Sequence, residues 1–295
     1  MIIPSHLQIE TVAGICSASC IMCPIEQSPR HGIMSNLEFE QILQACDSIK
    51  ENLKFTSLFG LGEPLLDRQI AEKVKIAKRM GFPSVGFATN ATNLSESLSL
   101  DLLQSGLDTI IFSIDSMHKE VHERIRPKTN FEIIRNNVLN FIKLRNEYGD
   151  TKIIVRMVRQ ELNSTEWHEY EEFWLSKINK RFSDKVSCID VHNWGGDGAK
   201  GYTENVTDKI FKLSSQKPLI CTEIYEKIFV QLNGNVALCC ADEMGWFNLG
   251  NVFKQSPKEI YNSGKFIEYR DAMKSGHIGQ LDHCKNCSMV LAKEK

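Results

Sequence analysis

Six strand-like runs separated by helix-like stretches set the strongest limit on what this chain can fold into. The runs read LQIETVA, FTSLFG (55–60), SVGFAT (84–89), DTIIFSID (108–115), KIIVRMV (152–158) and KVSCIDVH (185–192). Between them apolar residues return at helical spacing, around 36–50, 69–80, 95–105, 131–148 and 165–180. Strands joined by helices pair in parallel. A closed eight-unit barrel typically needs about 250 residues. Six units before residue 195 therefore predict an α/β protein built as a partial (β/α)6, TIM-like barrel. Ser35 and Glu38 predict a capping box at the first helix.

The stretch HNWGGDGAKG (192–201) reads as the loop leaving the barrel. The expected division is a barrel over 1–198 and a small C-terminal appendage over 199–295. In the appendage, KIFVQL and NVALCC flank Asn233–Gly234, which predicts a hairpin with a type I′ turn. Of the 295 residues, 42% are hydrophobic and 24% charged, enough for a full core. The net charge of −2 leaves no footprint for nucleic acid or an anionic membrane. No apolar run approaches ~18 residues, and the N-terminus lacks the pattern of a secretory signal. A cytoplasmic protein with no nucleic-acid or membrane partner is expected.

Ten cysteines in a reducing compartment point to metal or redox chemistry rather than disulfides. Cys46 and Cys188 stand alone in a helical and a strand-like run and read as small core residues. Cys16, Cys20 and Cys23 form a C-x3-C-x2-C triplet. Three thiolates on a four-iron cubane leave one iron open to bind something else. A structural zinc site wants four closed ligands, and His31 is the nearest candidate for a fourth. Cys221, Cys239, Cys284 and Cys287, from the hairpin and a C-x2-C pair, make a closed four-thiolate site that suits zinc or a cluster alike.

After its first strand the triplet resembles the signature of the radical S-adenosylmethionine superfamily. The resemblance implies a cluster whose open iron chelates S-adenosyl-L-methionine, and an electron from a low-potential donor such as flavodoxin or ferredoxin. It carries GLGEPLL (60–66), where Gly62, Glu63 and Pro64 match a segment that contacts the amino group of the cofactor. Leu61 replaces the usual leading glycine. Asn90 resembles the asparagine of a T-N-G segment, with Ala91 in place of glycine. Ser113 and Asp115, alternating with Ile114 and so expected to face the barrel interior, resemble cofactor-contacting positions, as does Arg126.

In the last hundred residues, C-x12-G-x4-C followed by C-x2-C resembles the twitch form of the SPASM auxiliary domain. This implies two [4Fe–4S] clusters in all, the auxiliary one on Cys221, Cys239, Cys284 and Cys287; Cys239 keeps the G-x4-C spacing, and Cys240 points the opposite way along the strand. The comparison with small twitch-bearing dehydrogenases implies hydrogen abstraction from a small polar substrate, a sugar or aminocyclitol, and oxidation of an alcohol to a ketone. The auxiliary cluster would accept the electron. A base is then needed, and Arg156, His192, Asp197 and Asp242 are candidates. Epimerisation is the alternative, with Cys240 or else Cys188 returning hydrogen. Modification of a ribosomal peptide ranks lower, because little chain precedes Cys16 to bind a leader. A non-catalytic metal-binding scaffold is the reading from another class.

Overall fold

The structure is a computed structural model and describes residues 1–196, 206–214, 216–242 and 244–291. The strands are β1 (His6–Ile9), β2 (Val12–Ala13), β3 (Gly32–Ile33), β4 (Phe55–Ser57), β5 (Val85–Thr89), β6 (Thr109–Ser113), β7 (Lys152–Arg159), β8 (Lys185–Asp190), β9 (Lys227–Val230) and β10 (Val236–Ala237). The main sheet runs β10-β9-β1-β4-β5-β6-β7-β8. Every pairing from β9 to β8 is parallel, and only β10 is antiparallel to its neighbour. The six expected units are thus β1, β4, β5, β6, β7 and β8 in sequence order, an open barrel.

The first expected strand is broken. LQIETVA splits into β1 and β2, and β2 turns away to pair with β3. The connecting helices are α1 (Asn36–Ala45), α2 (Ile70–Arg79), α3 (Glu96–Gln104), α4 (Lys119–Ile125), α5 (Phe131–Tyr148) and α6 (Trp167–Leu175). Ser35 and Glu38 close the capping box on α1, each donating a backbone N–H to the other's side chain. Strand β7 shows how the layers divide. Ile153, Val155 and Met157 are fully buried in the core under the helices, while Ile154, Arg156 and Val158 alternate onto the inner face. Among the described residues no helix is long and apolar enough to cross a membrane.

The C-terminal hairpin does not stand apart from the barrel sheet. Strand β9 pairs with β1 along its whole length, His6 opposite Lys227 through Ile9 opposite Val230. The turn also differs from expectation. A type I′ turn needs positive φ at both central residues, but Gly234 is left-handed (φ 79) and Asn233 is not. Gly234 donates its N–H to the Gln231 carbonyl (2.8 Å), and Gln231 donates to the Asn235 carbonyl (2.8 Å). This is a three-residue loop closed by a bulge glycine. A Cβ there would meet the Phe253 ring at 2.4 Å.

One carboxylate ties these pieces together. Glu10, fully buried between β1 and β2, accepts Arg30 Nε at 2.7 Å and Nη2 at 3.2 Å. It also accepts the backbone N–H of Leu61 (3.2 Å) and of Leu232 (3.0 Å). Arg30 lies past the cysteine triplet, Leu61 follows β4, and Leu232 is in the hairpin loop. Helix α4 was not legible in the sequence. It buries His122 against Phe131, with ring centroids 5.3 Å apart, and His122 Nδ1 accepts the Asp115 N–H (3.3 Å).

Two measurements of stability follow. Glu10→Gln takes the charge out of the buried contact with Arg30 and weakens the acceptor for Leu61 and Leu232, and should cost about 1.5–3 kcal/mol in denaturant unfolding. Adding Arg30→Met should recover part of that loss; an additive double variant would show that the two do not act as a pair. Burial, helped by Arg126, pulls the His122 pKa down from 6.5 to about 3. The neutral ring is the folded form, so its contribution is present above pH 6.5 and fades as pH falls toward 3. Compared with His122→Leu, the wild type should lose about 1 kcal/mol more per pH unit below 6.5. Parallel profiles would mean the folded ring is already charged.

Candidate active site

The barrel mouth is a cavity of about 230 Å³ at the C-terminal ends of the strands. Cys16, Cys20, Cys23, Gly62, Glu63, Asn90, Ser113, Arg126 and His192 all line it. The thiols are half-buried and none is in a disulfide. Asn90 Nδ2 lies 3.5 Å from Cys16 Sγ, and Arg126 Nη1 lies 3.4 Å from Cys20 Sγ. Burial pushes Cys16 up to about 11, and pushes Cys20 up against the pull of Arg126. Ionising such thiols needs a metal charge, and N–H donors to sulfur are what a bound cluster would find around it.

The loop after β4 explains its own glycines. A Cβ on Gly62 would meet the Val12 carbonyl oxygen at 2.5 Å, and one on Gly60 would meet Glu10 at 2.6 Å. Leu61 sits between them outside the left-handed region, so a leucine fits where the resemblance has glycine. Glu63 is buried, and burial raises its pKa. Its Oε1 accepts Thr89 Oγ1 (2.6 Å) and the Leu65 N–H (3.0 Å); its Oε2 accepts the Asn90 N–H (2.9 Å). The carboxylate is held rigidly at the cavity wall with lone pairs to spare. Pro64 starts the 3-10 turn behind it and does not line the cavity. Ala91, in the glycine position, adopts φ 60, a cost of about 1–2 kcal/mol for a residue with a Cβ.

Asp115 departs from its expected place. Strand β6 ends at Ser113, so alternation no longer governs the residue two on. Its Oδ2 accepts Arg126 Nε (2.7 Å) and its Oδ1 accepts the Val158 N–H (2.8 Å). Fully buried, it aims Arg126 at the cavity rather than facing the cavity itself.

The base candidates scatter. His192 lines the cavity, and burial lowers its pKa to about 4. Its Nδ1 accepts the Trp194 N–H (3.3 Å), which places the ring proton on Nε2. Asp242 is buried on the hairpin side, its carboxylate accepting the N–H groups of Leu238 (3.1 Å) and Trp246 (2.8 Å). It braces a loop away from the cavity. Arg156 faces the barrel interior beside Ser113. Asp197 lies outside the described residues. Cys240 Sγ is 3.3 Å from Glu223 Oε2, a carboxylate that Lys227 also holds at 2.6 Å, and Cys240 does not line the cavity.

The four C-terminal cysteines come together. Burial raises Cys239 well above the usual thiol range, and Cys240, Cys287, Cys284 and Cys221, in that order, add their charge to the effect. Cys284 and Cys287 are buried and likewise raised. Among the described residues no three His, Cys, Asp or Glu side chains crowd around one ion position. A cubane asks for something different, one thiolate on each of four separate corners, and this set of thiols suits it.

A short segment after β8 joins the two groups of thiols. Trp194 Nε1 donates to the Met22 carbonyl (2.7 Å), between Cys20 and Cys23. Asn193 donates Nδ2 to the Asn286 carbonyl (2.6 Å) and accepts the Ser288 N–H (2.8 Å), on either side of Cys287. Neither residue was singled out in the sequence, nor were Glu10 and Arg30. A charged residue inside the apolar run LQIETVA was the available signal for Glu10.

Residues 11–161, half of the chain, match the radical SAM superfamily. Residues 221–288 match SPASM, an iron–sulfur cluster-binding domain. The S-adenosyl-L-methionine-dependent 2-deoxy-scyllo-inosamine dehydrogenase of Niallia circulans is 38% identical over 107 residues, 36% of this chain and 41% of that protein. The chain spans about half the length of the first curated relatives it matches. BtrN in complex with AdoMet and 2-DOIA superposes with a TM-score of 0.64 at 19% identity, over 96% of this chain and 92% of BtrN. Streptococcus suis SuiB, bound to its precursor peptide SuiA, reaches 0.70 at 16% identity, over 99% of this chain and 71% of SuiB. At these identities the structures speak for the fold. Together with the triplet and its cavity, the sequence match makes the chain a member of the radical SAM superfamily, with S-adenosylmethionine and a [4Fe–4S] cluster as cofactors and a SPASM domain that carries an auxiliary cluster.

Proposed function

We propose that this enzyme oxidises an alcohol of a small polar substrate, a sugar or aminocyclitol, to a ketone, with the auxiliary cluster as electron acceptor. When bound, the cofactors supply a 5′-deoxyadenosyl radical at the triplet and an electron sink at the hairpin. The conversion removes one hydrogen atom, one proton and one electron from the substrate. A low-potential protein such as flavodoxin or ferredoxin in the cytoplasm would deliver the initiating electron. The proposed site residues are Cys16, Cys20 and Cys23 for the first cluster, and Cys221, Cys239, Cys284 and Cys287 for the second. The division into a barrel over 1–198 and an auxiliary domain over 199–295 is part of the same proposal.

The chain's own groups fit these tasks. Glu63 offers a fixed carboxylate to an ammonium group, and Arg126 and Asn90 present N–H donors beside the thiols. Phe59, Ile189, Val191 and Trp194 give the cavity apolar walls that exclude water. His192 is neutral and donates through Nε2, so it orients a substrate oxygen rather than taking its proton.

The observation that carries oxidation over epimerisation is the placement of the thiols. Among the described residues, the cysteines lining the cavity are the triplet, while Cys240 is bonded to Glu223 beside the auxiliary thiols. A hydrogen donor must reach the substrate, and Cys240 does not. Peptide modification is the second reading, favoured by the likeness to SuiB, solved with its precursor peptide.

Anaerobic reconstitution tests the proposal. Replacing Cys16, Cys20 and Cys23 together by Ala should remove about four irons and abolish 5′-deoxyadenosine formation with dithionite. Cys240→Ala should leave turnover unchanged. Deuterium from heavy water appearing at the substrate carbon would sink the oxidation reading and favour a thiol donor.

A further inference from the structure

We propose that the substrate carries an anionic group, a carboxylate or a phosphate, which docks on Arg156 inside the barrel. This rests on the reading that the substrate enters the cavity above the triplet, and it narrows the substrate class within that reading.

Arg156 is placed by register. It pairs with Ser113 of β6 on one side and Ser187 of β8 on the other. Ser113 lines the cavity, and so does Val158, the next residue of β7 on the same face. Successive residues on one face of a strand are about 7 Å apart, within the reach of an arginine side chain. Arg156 is not itself part of the cavity lining; its strand position puts it on the same inner face as Ser113 and Val158, one layer behind the wall they form.

It is also underused. Of its five N–H donors, one has a protein partner among the described residues, Nε to Ser187 Oγ at a long 3.4 Å. The described acids nearby are engaged elsewhere. Asp115 holds Arg126, and Glu63 accepts three donors of its own wall. Burial works against the Arg156 charge, and the buried Tyr170 phenol, not a carboxylate, is what supports it. A half-buried guanidinium without a counter-charge is costly and matches a planar anion bidentately. An ammonium-bearing substrate would meet like charge here. The inner face thus favours an acidic or phosphorylated sugar over an aminocyclitol.

The test is calorimetric, on the reconstituted holoenzyme with S-adenosylmethionine bound. The probes are glucuronate, glucose 6-phosphate, glucose and glucosamine. At least one anionic probe should bind tenfold or more tighter than glucose, with glucosamine weakest; the better anion tells carboxylate from phosphate. Arg156→Gln should erase the anion preference, and Arg156→Lys should keep part of it. S-adenosylmethionine affinity should be unchanged in both. Preference for glucosamine, no measurable binding of either anion, or a preference that survives Arg156→Gln overturns the proposal. 5′-Deoxyadenosine formation, followed in the same samples, reports separately on the radical chemistry, so the two readings fail independently.

Discussion

The buried pair of Glu10 and Arg30 is the contact on which the arrangement depends. Glu10 gathers donors from the segment beyond the cysteine triplet, from the loop after β4 and from the C-terminal hairpin. A buried ion pair adds little net stability, because removing two charges from water costs about what their attraction returns. Its value lies in the cost of every alternative. If the hairpin shifted by one residue along β1, Leu232 would lose its acceptor. If the loop after β4 moved, Leu61 would. The pair therefore acts as a registration point, and the parallel ladder from His6–Lys227 to Ile9–Val230 runs up to it.

The two sets of thiols share a physical logic. In each set burial favours the protonated thiol, at Cys16 and Cys20 in one and at Cys239 and Cys284 in the other. Bound iron would take these thiols as thiolates, with release of their protons, and would tie each loop covalently in place. The segment at 193–194 spans both places, bonded to Met22 in one loop and to Ser288 in the other. Trp194 holds a left-handed backbone (φ 52) to do so, a strain its indole bond and packing against His192 must offset.

The parts of the fold governed by local periodicity were legible. Six runs gave six parallel strands, and Ser35 and Glu38 marked a real helix start. What failed depended on non-local contacts. Asn233–Gly234 announces a type I′ turn in isolation, but with the hairpin packed beneath Phe253 Gly234 alone is left-handed, as a bulge. Nothing in KIFVQL says that it will pair with β1. Asp115 follows the rule of alternation only while the strand lasts, and β6 ends two residues earlier. Arg156 sits inside β7, so the same rule places it on the inner face. Asp242 looks like a free acid in sequence because its partners are backbone N–H groups, which composition cannot show.

An incomplete barrel leaves two sheet margins, and a bare margin invites another chain to zip onto it. Here one margin is β10, only two residues long and already bonded on its outer side, where Val236 donates to the Gly250 carbonyl at 2.9 Å. The other is β8, with Lys185 at one end and Asp190, tied to Arg159 at 2.7 Å, at the other. A short strand and a charged one are poor templates for a neighbouring copy. Among the described residues the open seam therefore presents no long, bare strand edge.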